Sequence, residues 1–143
     1  MPAVEWKGAM KAEGEDVECL DNLSREVIDR MEQSLIEIAV ESWRLSRLFS
    51  RVVCRLDAGE SDRYVSQLRY FEKRVEEALS VSRIRLVNIE GESYRPGTPA
   101  LALNLGEFGP DDELRIDVML EPIVMGPSGL RKEGTVVLRK VSI

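Results

Sequence analysis

The chain has 143 residues, 43% of them hydrophobic and 32% charged, with a formal net charge of −6. That composition belongs to one globular domain, or a small domain with a helical extension, and not to a disordered chain. The acidic balance argues against a nucleic-acid protein, and the absence of histidine removes the commonest general base and metal ligand, so an enzyme is not expected.

Residues 1–19 read as a mobile acidic lead-in without a sustained period. No run reaches the length of a membrane span and the start lacks the apolar core of a signal peptide, so a cytoplasmic protein without membrane association is expected. Cys19 and Cys54 lie far apart in helical-looking stretches and are expected to be free thiols behaving as small hydrophobes.

From about Leu20 to Leu56 the apolar period is helical. Ile28, Met31, Leu35, Ile38, Ser42, Leu45, Phe49, Val52 and Leu56 follow alternating steps of three and four, a heptad seam with one polar member. A second set (Leu23, Val27, Ile36, Val40, Trp43, Leu48 and Val53) widens the stripe. A helix of about 55 Å, at 1.5 Å per residue, cannot bury so wide a stripe alone and requires a bundle.

Asp57-Ala-Gly-Glu-Ser-Asp62 interrupts the period, with Gly59 suited to end the first helix and Ser61 or Asp62 to cap the next. A second helix from about Asp62 to Arg83 places Val65, Leu68, Phe71, Val75, Ala78 and Leu79 on one face. Residues 20–83 therefore read as an antiparallel helical hairpin, and two hairpins would make a four-helix bundle. A homodimer is expected, with Leu35, Ile38, Leu45, Phe49, Val52, Leu68, Phe71 and Val75 at its interface.

Residues 84–143 change character. IRLVNI (84–89), ALALNL (100–105), ELRIDVMLEPIVM (113–125) and TVVLRKV (135–141) are short β-rich runs separated by glycine and proline turns. They predict a small antiparallel β-domain with Pro122 at an edge, bulge or strand boundary. The fold class expected is thus α+β: a long helix and hairpin followed by that β-domain.

Two charge clusters call for a reading. Asp111, Asp112, Glu113 and Asp117 lack the ligand spacing and glycine of a calcium loop and read as a solvated turn; no metal site is expected. Arg44, Arg47, Arg51 and Arg55 form a basic stripe at helical spacing. Pairing with Glu72, Glu76 and Glu77 of the second helix is the simpler reading and docking to an acidic protein surface the functional one. Near the C-terminus, GPSG (126–129) is a turn, and Arg131 beside Leu130 places a planar, permanently charged group at a corner suited to a carboxylate on another protein.

The order of these parts resembles the GrpE-type nucleotide exchange factors of DnaK-like chaperones. The similarity covers roughly Leu35 to Val141. It includes LSRLFSRVVCRLDAGES entering the hairpin turn, YVSQLRYFEKRVEEAL as second bundle helix, IRLVNIEGESYRPG as first strand and loop, and GLRKEGTVVL as closing arginine, turn and final strand. Tyr94-Arg95-Pro96 looks like the family's apolar–acid–proline loop, and Arg131 falls on the family's arginine. The chain departs from the pattern where the family's histidine is replaced around Thr98-Pro99 and where its Gly-Tyr pair appears as Pro122-Ile123, and its stem before the bundle is short. The resemblance implies a homodimer without catalytic residues or cofactor that promotes ADP release from a DnaK-like ATPase. Contacts would come from Arg131, Leu130, Met125, Tyr94 and Arg95. An assembly adaptor that binds through its helical hairpin, with the β-domain as a cap, is the competing expectation.

Overall fold

The computed structural model describes the backbone of residues 3–142 and the side chains of residues 14–142. Two α-helices precede six strands, and the class is α+β. The chain divides into two units, Met1–Leu35 and Ile36–Ile143.

Helix α1 (Ala3–Val53) takes in residues 3–19, where the sequence suggested an irregular lead-in; residues 1 and 2 of that stretch lie outside the described ones. Within the first unit the apolar positions of α1 face water: Val17, Leu20, Leu23, Val27, Ile28 and Met31 are all exposed. Cys19 is exposed too, as is Cys54 in the second unit, so neither thiol serves as a buried hydrophobe.

In the second unit α1 ends in a tightening turn, where the Arg55 and Leu56 amides donate to the Val52 and Val53 carbonyls. Helix α2 (Ala58–Val81) begins one residue after Asp57, whose extended backbone opens it, and the Ser61 amide donates to the Asp57 carbonyl at 2.8 Å. Gly59 therefore lies inside the first turn of α2 and does not end α1. Glycine at that position is tolerated because the first turn's amides lack intrahelical partners in any case. The helical hairpin is present as expected.

Helix α2 closes at Ser82–Ile84, where the Ser82 and Ile84 amides both donate to the Leu79 carbonyl and Arg83 takes φ 55°. This is the left-handed position that glycine usually fills at a helix end, occupied here by a residue that bears a Cβ.

The strands are β1 (Arg85–Val87), β2 (Ala100–Ala102), β3 (Leu114–Glu121), β4 (Ile123–Gly126), β5 (Gly129–Lys132) and β6 (Gly134–Lys140). They form two three-stranded sheets: sheet A in the order β1-β4-β5 and sheet B in the order β2-β6-β3. Two details differ from the expected antiparallel domain. Strands β2 and β6 pair in parallel, and Leu130-Arg131 lie within a strand of their own instead of at a corner before one. Pro122 is buried between β3 and β4 and carries the chain from one sheet to the other. A residue that cannot donate to a ladder suits that crossing.

The core consists of Ile89, Ala100, Leu114, Ile116, Met119, Ile123, Val136 and Leu138, with Trp43 of α1 packed against it. Close approach fixes one position: a Cβ on Gly134 would stand 2.7 Å from Met119 Cε and 3.0 Å from the Glu121 carbonyl. Beyond the end of β2, the Asn104 side chain continues the pairing. Its Oδ1 accepts from the Leu138 amide at 2.8 Å and its Nδ2 donates to the Leu138 carbonyl at 2.9 Å.

Candidate interaction surfaces

Among the described residues, no group of three or more cysteine, aspartate or glutamate side chains is placed to hold a metal ion, and no helix is long and apolar enough to cross a membrane. Asp112 and Asp117 instead meet basic partners, Lys140 at 2.6 Å and Arg139 at 3.5 Å. The Lys140 ammonium, helped by the Gly109 amide, holds the Asp112 carboxyl below the usual carboxylate range. Three parts of the surface stand out.

The first is the outer face of sheet B. Strand alternation sends Ala100 and Ala102 inward, and Leu101 and Leu103 remain 60% and 59% exposed. In β3, Val118 and Leu120 flank the buried Met119 and so point away from the core; Val137 of β6 lies directly across from Val118. The outside of this small sheet thus carries leucines and valines at the β2 side and the Glu121 end of β3, beside the exposed Arg115, Asp117 and Arg139 toward the other end; an exposed sheet face is ordinarily polar throughout. Sequence alternation carried this signal in ALALNL, but alternation gives the period and not the phase. Here the larger side chains are outside because the β2–β6 pairing sets Ala100 beside Gly134 and Ala102 beside Val136, in the crowded interior.

The second is the set of residues singled out around Arg131. Leu130 and Arg131 are exposed on β5, an edge strand of sheet A. Met125 is the register neighbour of Leu130, but it is half-buried against the core, so only part of its side chain is available. Tyr94 is likewise half-buried against the core, and its amide donates to the Leu114 carbonyl along β3. Arg95 is exposed in the turn that follows, where its own amide is held by Thr98 Oγ1 at 3.1 Å. Leu130 and Arg131 thus belong to sheet A, and Tyr94 and Arg95 to the margin of sheet B.

The third is the helical hairpin. Helix α1 turns Ile36, Ala39, Val40, Ser46 and Val53 inward, so the buried positions come largely from the second apolar set. The heptad seam remains outside: Ile38, Leu45 and Val52 are exposed, and Phe49 is half-buried, meeting Tyr64 edge-on at 6.2 Å. Leu35, Leu68 and Val75 are half-buried and Phe71 is exposed. Leu45, Phe49, Leu68 and Phe71 line an open cavity of about 210 Å³ between the two helices, which single-chain packing leaves unfilled.

Two arginines of the basic stripe find partners other than those the simpler reading of the sequence expects. Arg44 pairs with Glu41 at 2.9 Å and with Glu121 at 2.6 Å, and Arg47 pairs with Glu90 while lying over the Trp43 ring at 5.0 Å. Glu77, one of the expected partners, pairs within α2 with Arg74 and Lys73. The long-range partners of α1's arginines are therefore carboxylates of the β-domain. Local spacing cannot reveal a pairing between residues so distant in sequence.

Comparison with family models, with curated proteins and with solved structures finds no match to this chain.

Proposed function

We propose that this protein is a GrpE-like co-chaperone that acts as a homodimer. Its β-domain binds a DnaK-like chaperone ATPase and promotes ADP release. The observation that carries the reading is the outer face of sheet B, where Leu101, Leu103 and Leu120 stand exposed on a sheet backed by a closed core, beside the charged Arg115, Asp117 and Arg139. Such a surface can grip one conformation of a partner without deforming. A ligand shifts an equilibrium only by its preference between states, so a platform that fits the open nucleotide-binding domain better than the closed one accelerates release of ADP. The protein itself does no chemistry in this scheme.

The homodimer is supported by the hairpin. Burying an aliphatic side chain is worth about 1.5–3 kcal/mol, and Ile38, Leu45 and Val52 leave most of that unrealised in one chain. A second copy of the hairpin, completing a four-helix bundle, would cover the seam and fill the cavity between the helices.

Stopped-flow release of a fluorescent ADP analogue from a DnaK-like ATPase tests the reading. The chain should accelerate release. Leu101→Asp combined with Leu103→Asp should abolish the effect, and Arg131→Ala should weaken it. No acceleration at saturating concentration would overturn exchange activity. Binding retained by a hairpin fragment alone would favour the adaptor, for which the exposed seam is the supporting observation.

A further inference from the structure

The helical hairpin and the β-domain are joined covalently only through Ser82, Arg83 and Ile84, between α2 and β1. Arg83, in the middle of that link, holds a left-handed backbone conformation that disfavours side chains with a Cβ. The space beside the link is not closely packed. A cleft of about 660 Å³ opens between α1, α2 and sheet A, with Trp43, Phe71, Leu86 and Met125 among its walls. Protein interiors are ordinarily filled to crystal density, so the cleft leaves part of this junction unpacked, with Trp43 of α1 supplying apolar contact to the β-domain core beside it.

Two ion pairs cross the junction from the other side. Arg44 and Arg47, one turn apart on α1, reach Glu121 and Glu90. Each carboxylate is built into the β-domain independently of its arginine. Glu121 Oε2 accepts from Lys132 Nζ of β5 at 2.5 Å and from Thr135 Oγ1 of β6 at 3.3 Å, and Glu90 Oε1 accepts from the Met119 amide of β3 at 2.8 Å. The side chains of all four paired residues keep between 23% and 46% of their surface in water, so dissolved salt can reach both pairs.

We propose that Arg44 and Arg47 form a two-point ionic latch that holds the β-domain against α1, and that the latch opens at high ionic strength so that the β-domain swivels about Ser82–Ile84. Opening draws Trp43 away from the β-domain core but breaks no strand pairing, because Glu121 and Glu90 keep their bonds within the β-domain. It changes the direction in which sheet B and β5 are presented and leaves their structure intact. Arg51 and Arg55, the other members of the stripe, make no ion pair among the described residues and are not part of the latch.

The test is a distance measurement within one chain. Spin labels are placed at Cys54, in the hairpin turn, and at Ser128→Cys, in the β4–β5 loop, with Cys19→Ser; both labelled sites are exposed. Labelled protein is diluted into unlabelled protein so that only distances within a chain register. A narrow distribution at low salt is expected. It should broaden in 1 M salt, where the screening length falls to about 3 Å. It should broaden at low salt in Arg44→Gln/Arg47→Gln, while Arg51→Gln/Arg55→Gln, the same change in net charge, stays narrow. In every sample the β3–β6 amides should keep their hydrogen-exchange protection. An unchanged distribution in Arg44→Gln/Arg47→Gln, equal broadening in the control variant, or loss of β3–β6 protection would each overturn the latch.

Discussion

In the β-domain, Ile116, Met119, Ile123 and Val136 retain at most 2% of their surface in water, whereas on the hairpin Ile38, Leu45 and Val52 retain between 49% and 65%. The two regions are comparably rich in aliphatic residues, so composition does not explain the difference. Architecture does. Two small sheets joined at Pro122 can close a core between them, while two helices have only one mutual face to bury and an apolar stripe wider than that face. The β-domain closes its core within a single chain, and the hairpin leaves its heptad seam exposed. What the β-domain leaves exposed, on the outside of sheet B, surrounds a core already closed, whereas what the hairpin leaves exposed is the seam on which the proposed homodimer rests.

The most damaging change should fall on the self-sufficient side. Ile116→Ala removes a fully buried side chain from the middle of β3 and should cost about 2–5 kcal/mol, read as a lowered denaturation midpoint. If that loss appeared only on dilution of the protein, the β-domain would not be complete in one chain. Gly134→Ala comes next. Its methyl group would collide with Met119 and with the Glu121 backbone, and about 1–3 kcal/mol of destabilisation should show in thermal melts.

A smaller effect is expected from pH. The Lys132 ammonium, hydrogen-bonded to Glu121, holds that carboxyl below the usual carboxylate range against the opposing effect of burial, and the Arg44 charge adds to it. The ionised form is thus favoured in the folded chain. Its stabilisation is complete above the ordinary glutamate range and is lost as pH falls through the depressed value. Glu121→Gln should flatten this part of the acid side of the stability profile. A profile identical to that of the parent would show that the Glu121 cluster contributes nothing to stability.

The smallest effect belongs to the surface. Arg131→Ala should move stability by no more than about 0.5 kcal/mol, as exposed substitutions usually do, while weakening partner binding. A large drop in melting temperature would make Arg131 part of the fold.

Several of these features were readable in advance and others were not, for physical reasons. The period of three and four residues fixes a helix and its apolar stripe, so both helices and the seam could be read directly. It does not say which part of a wide stripe turns inward. Ile36, Val40 and Val53 do so, and Leu45 and Val52 do not. Gly59 looked like a helix end because glycine favours that role, yet the chain turns over residues 54–57 and places Gly59 in the next helix. β5 is four residues long with two of its positions exposed, too short and too polar in setting to carry a strand pattern. The arginine stripe was visible, but its partners Glu90 and Glu121 depend on how the β-domain folds back onto α1, which no local window contains.

Sedimentation equilibrium of the intact chain at micromolar concentration tests most directly whether the hairpin seam is an interface between copies. A mass twice the 16.2 kDa of one chain is predicted, falling to that of one chain in Ile38→Ser/Leu45→Ser while the β-domain stays folded. A parent protein that sediments at 16.2 kDa with both helices intact would contradict it.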